Sequence, residues 1–223
     1  MDWGVETYAT IAFEDGRIEE VANDRLLNAE IDTLKEQQRE LSRHQRGKKR
    51  SRRILKERRH LARRMRKVAA RRKDRSHKLS ARIVSEFSIF ATEALQIRNM
   101  TRSARGTMEE PGRNVKQKSG LNREILNVGW SQLVEQTIRV AKSHGTRIVL
   151  VNPAHTSQTC PQCGTVDPDS RVTRSKFVCR ADRCGHTGHA DTGAAQNILA
   201  QGLALIEAEE PLHGGVTAVR AGG

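Results

Sequence analysis

Apolar and polar positions change period several times along this chain, and each change predicts an element. Tyr8-Ala9-Thr10-Ile11-Ala12-Phe13 alternates well enough for a strand. Glu14-Asp15-Gly16-Arg17 follows with an Asp-Gly turn signal, and Ile18 to Val21 is the returning strand of a hairpin. Leu26, Leu27, Ile31, Leu34 and Leu41 then recur at three- and four-residue spacing, which predicts a helix that Gly47 breaks. A second helix is predicted from about Arg50 to Phe90, with Ile54, Leu55, Leu61, Met65, Val68, Leu79, Ile83, Val84 and Phe87 as its apolar seam. The two form either an antiparallel hairpin or one long helix bent at Gly47.

Ile89 to Leu95 is a short apolar run that ends near an acid, Glu93, as a buried strand would. Arg102 to Gly120 is polar and predicts a loop. Leu121 to His144 is amphipathic and stops at Gly145, a good helix terminator. Arg147 to Pro153 is continuously apolar, which predicts a strand in the middle of a sheet. A last helix is predicted from Thr192 to about Ile206, with a disordered Gly-rich tail over 207–223. The order of elements predicts a mixed α/β layer fold.

Charge sharpens that picture. The net charge is +14, and Arg43 to Lys78 holds nineteen Lys or Arg against two acids, Glu57 and Asp74. So many cations on one helical element repel each other, and phosphate relieves the repulsion. The predicted partner is a nucleic acid. No apolar run approaches the ~20 residues that span a bilayer, so no membrane association is expected.

Four cysteines add a metal site. Cys160-x2-Cys163 and Cys179-x4-Cys184 stand with fifteen residues between the pairs. Two such knuckles can bring four thiolates around a Zn²⁺ ion at about 2.3 Å, and a closed four-Cys site is structural rather than catalytic. Two disulfides are the alternative. The chain shows no leader peptide and is expected in a reducing, cytoplasmic compartment, where disulfides are rare, which favours zinc.

Three acids stand at element ends: Asp2, Glu93 and Asp191. Carboxylates brought to one point from separate elements can bind two Mg²⁺ or Mn²⁺ ions about 4 Å apart and cut phosphodiesters. Taken singly, each has a plainer explanation: a terminal acid, a surface residue, and an acid favoured by a helix dipole.

Several motifs in order carry a resemblance. D-W-G-V-E-T-Y-A-T from Asp2, R-R-K-D-R-S-H-K-L-S from Arg71, T-E-A-L-Q-I-R-N-M from Thr92, T-S-Q-T-C-P-Q-C-G from Thr156, F-V-C from Phe177 and H-A-D-T-G-A-A-Q-N-I-L from His189 resemble the three-part RuvC nuclease core of TnpB-type (OrfB) proteins. That family comprises transposon-associated, RNA-guided DNA endonucleases, often called transposases, and shares its core with compact type V CRISPR effectors. The resemblance implies an RNase H-like fold with a basic helical-hairpin insertion and an inserted zinc ribbon. It implies that Asp2, Glu93 and Asp191 are the catalytic, magnesium-binding acids. It also implies Cys160, Cys163, Cys179 and Cys184 as zinc ligands, and a guide RNA that selects the DNA strand by pairing.

The implied division is a nuclease core over 1–152 with the basic insertion at about 23–88, a ribbon over 153–189, a third nuclease segment over 190–206, and the tail. Some positions depart from the pattern. Trp3 follows the first acid where a smaller residue or leucine is usual, the second knuckle is two residues longer, and His189 stands where a basic residue is common. The family also carries a long recognition region before its first acid, whereas here only Met1 precedes Asp2. The expectation is therefore a truncated first strand, Asp2 on a frayed end, and a choice between a nuclease lacking its recognition half and a catalytically silent nucleic-acid-binding zinc protein.

Overall fold

The computed structural model describes residues 1–23, 26–44 and 51–209. Three strands open the chain: β1 (Asp2–Trp3), β2 (Thr7–Ala12) and β3 (Ile18–Ala22). They form an antiparallel sheet in the order β1-β2-β3, with Asp2 opposite Thr10 and Trp3 opposite Ala9. The predicted hairpin turn is present. Gly16 adopts φ 85°, and its N–H donates to the Phe13 carbonyl at 3.0 Å.

Two helices follow, α1 (Leu26–His44) and α2 (Arg52–Glu86). They run antiparallel. Arg71 pairs with Glu30, Leu34 packs on Val68, and Gln38 Nε2 donates to Met65 Sδ at 3.8 Å. Of the two arrangements that the pattern allowed, this is the hairpin. Gly47, the predicted breaker, lies outside the described residues. Ser51 caps α2, accepting from the Ile54 N–H at 3.3 Å. At 35 residues and 1.5 Å per residue, α2 is about 52 Å long. Its second half is anchored: Leu79 and Ile83 join a core with Leu133 and Trp130 of a later helix and Tyr8 and Ile11 of β2. Much of its first half is exposed, Leu55 and Met65 included.

Strand β4 (Ile89–Glu93) pairs in parallel with β5 (Arg147–Val151), with Glu93 opposite Val151. Between them run α3 (Ile97–Met100), α4 (Val115–Val128) and α5 (Trp130–His144). Two expectations change here. The predicted loop over 102–120 gives way to helix at Val115. The predicted single helix over 121–144 is two helices, because Gly129 at φ 76° ends α4 and starts α5. Gly145, at φ 75°, ends α5 as predicted. A third expectation also changes. Among the described residues β5 pairs with β4 alone, so it is an edge strand, and Leu150 is exposed.

The two sheets meet at the start of the chain. The Met1 nitrogen donates to the Ala91 carbonyl at 2.8 Å, and Thr92 Oγ1 donates to the Met1 carbonyl at 3.3 Å. Met1 is buried. Asp2 is therefore held between β2 and β4 rather than frayed, as had been expected.

The cysteine segment forms a small antiparallel pair, β6 (Lys176–Val178) and β7 (Thr187–His189), and leads into α6 (Ala190–Glu209). Helix α6 packs closely because its inner face is small: Ala190, Gly193, Ala194, Ala195 and Gly202. A Cβ on Gly202 would stand 2.5 Å from the Ala91 Cβ. The helix extends past Ile206, so Glu207 and Glu209 are helical rather than part of a tail. The rest of that predicted tail lies outside the described residues.

Candidate functional site

The three predicted acids come from three elements that pack together. Asp2 opens β1, Glu93 closes β4, and Asp191 lies in the first turn of α6. Helix α6 lies against both strands through its small-residue face. Proximity shows in their electrostatics. The Asp2 carboxyl is pushed up to about 7, first by burial and then by the negative charges of Glu93 and Asp191. Burial likewise raises Glu93, against a hydrogen bond from Thr156 that favours its charged form. The positive groups beside these charges are the Met1 ammonium, which attracts Asp2 and Glu93, and Arg171, 3.6 Å from Asp191. Hard carboxylate oxygens in such a cluster are the donor set that divalent Mg²⁺ or Mn²⁺ takes.

Sequence reasoning missed three partners of this cluster. Arg171 Nη2 lies 3.6 Å from Asp191 Oδ1 and also donates to the Arg174 carbonyl at 2.9 Å. Thr156 Oγ1 donates to Glu93 Oε1 at 2.6 Å. Asn197, on α6, donates to the Thr156 and Thr159 carbonyls at 2.8 Å each. The only sequence signal was their place inside the quoted T-S-Q-T-C and A-A-Q-N-I segments or between the cysteine pairs.

The cysteine cluster is tighter. All four Sγ atoms lie within 4.8 Å of one another, with Cys160–Cys184 at 3.7 Å and Cys163–Cys179 at 3.6 Å. A tetrahedron with 2.3 Å metal–sulfur bonds has edges of about 3.8 Å. The thiols are free, so the disulfide alternative falls away, and the geometry fits a metal ion held by four sulfurs. The longer second knuckle closes because Arg183 takes φ 69°, which turns the chain before Cys184. Ribbon and core are also tied by Arg174, which pairs with Glu6 at 2.8 Å. His189 is exposed on β7, and none of its side-chain contacts joins either cluster.

The basic helix serves two ends. Arg72 and Arg75 turn inward and cap the last carbonyls of α4: Arg72 to Leu126 at 3.3 Å and Arg75 to Val128 at 2.9 Å. Arg75 also lies 4.1 Å over the Tyr8 ring. The cations of the outer half, Lys56, Arg59, Arg63, Arg64, Arg66 and Lys67 among them, face solvent.

Comparison with known proteins agrees with this arrangement. A family profile, OrfB_IS605, described as "Probable transposase", matches residues 1–104, and a second, "Cas12f1-like, TNB domain", matches residues 130–198. Residues 1–104 are thus similar to OrfB-type transposases and residues 130–198 to Cas12f1-type proteins. It is 38% identical over 144 residues to the "Putative RNA-guided DNA endonuclease InsQ" of Escherichia coli (strain K12), covering 65% of this chain and 35% of that protein. It is 34% identical over 88 residues to the CRISPR-associated endodeoxyribonuclease Cas12f1 of Sulfoacidibacillus thermotolerans, covering 40% of this chain and 20% of the relative. The chain thus spans a fifth to about a third of these curated relatives. Its fold is shared with Cas12f1 in a cryo-EM complex with sgRNA and target DNA, at TM-score 0.56 and 19% identity, over 88% of this chain and 47% of that one. Among the described residues no helix is long and apolar enough to cross a membrane.

Proposed function

We propose that this chain is the nuclease portion of an RNA-guided DNA endonuclease, with an RNase H-like (RuvC) core, and that Asp2, Glu93 and Asp191 are its catalytic, metal-binding acids. The observation that carries the reading is the cluster itself. Strand start, strand end and helix start carry three carboxylates into one region, where burial first and the charges of Glu93 and Asp191 next raise Asp2 to about 7. Mg²⁺ or Mn²⁺ bound there would supply charge neutralisation and an activated water for phosphodiester hydrolysis.

The residues divide the work. Asp2, Glu93 and Asp191 hold the metal and lose their mutual repulsion. Arg171, released from Asp191, is within reach of a phosphate entering beside it. The outer half of α2 takes the nucleic-acid backbone through its exposed cations, with strong salt dependence. Cys160, Cys163, Cys179 and Cys184 hold Zn²⁺ and keep the ribbon, over about 153–189, rigid on the core. Guide RNA and target DNA are the proposed partners by kinship with Cas12f1, whose complex contains both.

Incubation of the zinc-loaded chain with single-stranded DNA and Mn²⁺, beside Asp191→Ala, tests the reading. Cleavage that the substitution abolishes is expected. Tight, salt-sensitive DNA binding with no cleavage at any metal concentration would favour the silent binding module instead.

A further inference from the structure

Glu93 ends β4, and a glutamate carboxylate at a strand end has three rotatable bonds between it and the backbone. A metal ligand has to be held to within about 0.5 Å. What holds this one is a turn between β5 and the cysteines. After Val151 the chain passes Asn152 and Pro153 into a tight turn. Asn152 Oδ1 accepts from the Ala154 N–H at 2.9 Å, and the His155 carbonyl accepts from the Gln158 and Thr159 N–H groups at 2.9 and 3.0 Å. His155 takes φ 63°, which folds the turn back. The fold-back delivers the Thr156 hydroxyl to Glu93 Oε1 at 2.6 Å, with both residues buried.

That hydroxyl has one proton. The Pro153 carbonyl stands 3.2 Å away and could have taken it, as in an ordinary Thr turn. The shorter contact goes to the carboxylate instead. An ionised Glu93 can only accept, so the direction of the bond is fixed.

The turn is held from its other side as well. Asn197 donates to both the Thr156 and Thr159 carbonyls, and it is itself buried on α6, the helix that presents Asp191. One amide thus links the helix of the third acid to the turn that grips the second. Thr159 immediately precedes Cys160, so the same anchor fixes the root of the ribbon.

We propose that Thr156 is a positioning residue that fixes the Glu93 carboxylate as a divalent-cation ligand, with Asn197 bracing the turn that carries it. The inference rests on the metal-binding reading of the acids. Partners of this kind, one bond removed from a metal, typically alter its affinity 10- to 100-fold when lost.

The test is a Mn²⁺ titration of the full zinc-loaded chain, following free Mn²⁺ by electron paramagnetic resonance. Thr156→Val should weaken Mn²⁺ binding 10- to 100-fold, with the zinc-to-protein ratio and melting temperature near those of the parent. Thr156→Ser, which keeps the hydroxyl, should restore binding. If Thr156→Val loses zinc or unfolds, Thr156→Ala against Thr156→Ser is read in the same way. Unchanged Mn²⁺ affinity in the hydroxyl-less variant, or a serine variant no better than it, overturns the proposal. Glu93→Gln separates the two levels. Parent binding that Glu93→Gln abolishes and Thr156→Val leaves intact sinks the inference alone, whereas a parent chain that binds no Mn²⁺ sinks the metal-binding reading with it.

Discussion

The four-cysteine cluster and the set of three acids, of which only Asp191 lies near the cysteines in sequence, are built in opposite ways. The cysteines come from one short segment, and their sulfurs already stand at the separations a tetrahedral ion requires, 3.6 and 3.7 Å for the two closest pairs. The acids come from the two ends and the middle of the chain, and the fold forces them together against their charge. The first cluster is local and geometrically ready. The second is long-range and electrostatically tense. A scaffold site tends to be of the first kind and a reacting site of the second, because strain at the reacting site is relieved when metal and substrate arrive.

The largest effect expected from breaking this contrast falls on the cysteines. Cys160→Ser should abolish metal retention and cost several kcal/mol of ribbon stability, since a closed four-thiolate site supplies folding energy directly. Metal analysis together with hydrogen exchange checks it. Protection should vanish over the ribbon and persist at Leu133 and Ile83, which lie in a different core cluster. A smaller loss is expected from Gly202→Val. The added atoms meet Ala91 across a 2.5 Å gap, and overpacking of this sort costs about 1–3 kcal/mol. Because α6 presents Asp191, that variant should also lose Mn²⁺ affinity, which calorimetry would read.

These two sites were not equally legible beforehand. The cysteine spacing shows the metal cluster because its ligands are near neighbours in sequence. The hairpin at Gly16 and the helix ending at Gly145 were readable for the same reason, since local periodicity and turn residues decide them, whereas the pattern left open whether α1 and α2 pair or form one bent helix. Gly129 was harder. A single glycine inside an amphipathic run is tolerated in many helices, and only packing of α4 and α5 around Trp130 and Leu133 makes it a break. Edge position is likewise invisible in β5, whose residues are as apolar as those of a central strand. The acids could be grouped by their places at element ends, but each had a plainer explanation, and kinship gave the group its weight. Thr156, Arg171 and Asn197 carry no periodic or spacing signal, and their importance appears only when the turn, ribbon and helix are seen against Glu93 and Asp191.

The tension in the acid cluster has a sign that can be measured. The folded chain holds a proton on Asp2 up to about pH 7, against an ordinary carboxyl value of 3.8. A carboxyl raised in this way favours the folded state fully below its ordinary value and ceases to do so as pH rises through about 7. Asp2 by itself therefore contributes a fall in metal-free stability between about pH 4 and pH 7, opposed above about pH 5 by the Met1 ammonium, which burial lowers from 8.0 to about 5. Asp2→Asn should flatten that fall while it removes cleavage, so a stabilising substitution would be an inactivating one. The difference between parent and Asp2→Asn in denaturant melts at pH 5 and pH 8 reads the first effect, since the Met1 ammonium is common to both. The smallest expected change in stability is that of Arg171→Ala. Its ion pair with Asp191 is partly exposed and long at 3.6 Å, so its loss should alter stability by less than about 1 kcal/mol. Its effect should appear in cleavage rate instead.

The measurement that bears most directly on the acid cluster as a metal site is a calorimetric Mn²⁺ titration of the zinc-loaded chain at pH 6 and pH 8. Tighter binding at pH 8, proton release at pH 6, and loss of both in Asp2→Asn are predicted, because the metal must displace the proton that burial and repulsion keep on Asp2. Binding of equal strength at both pH values, unchanged in Asp2→Asn, would contradict it.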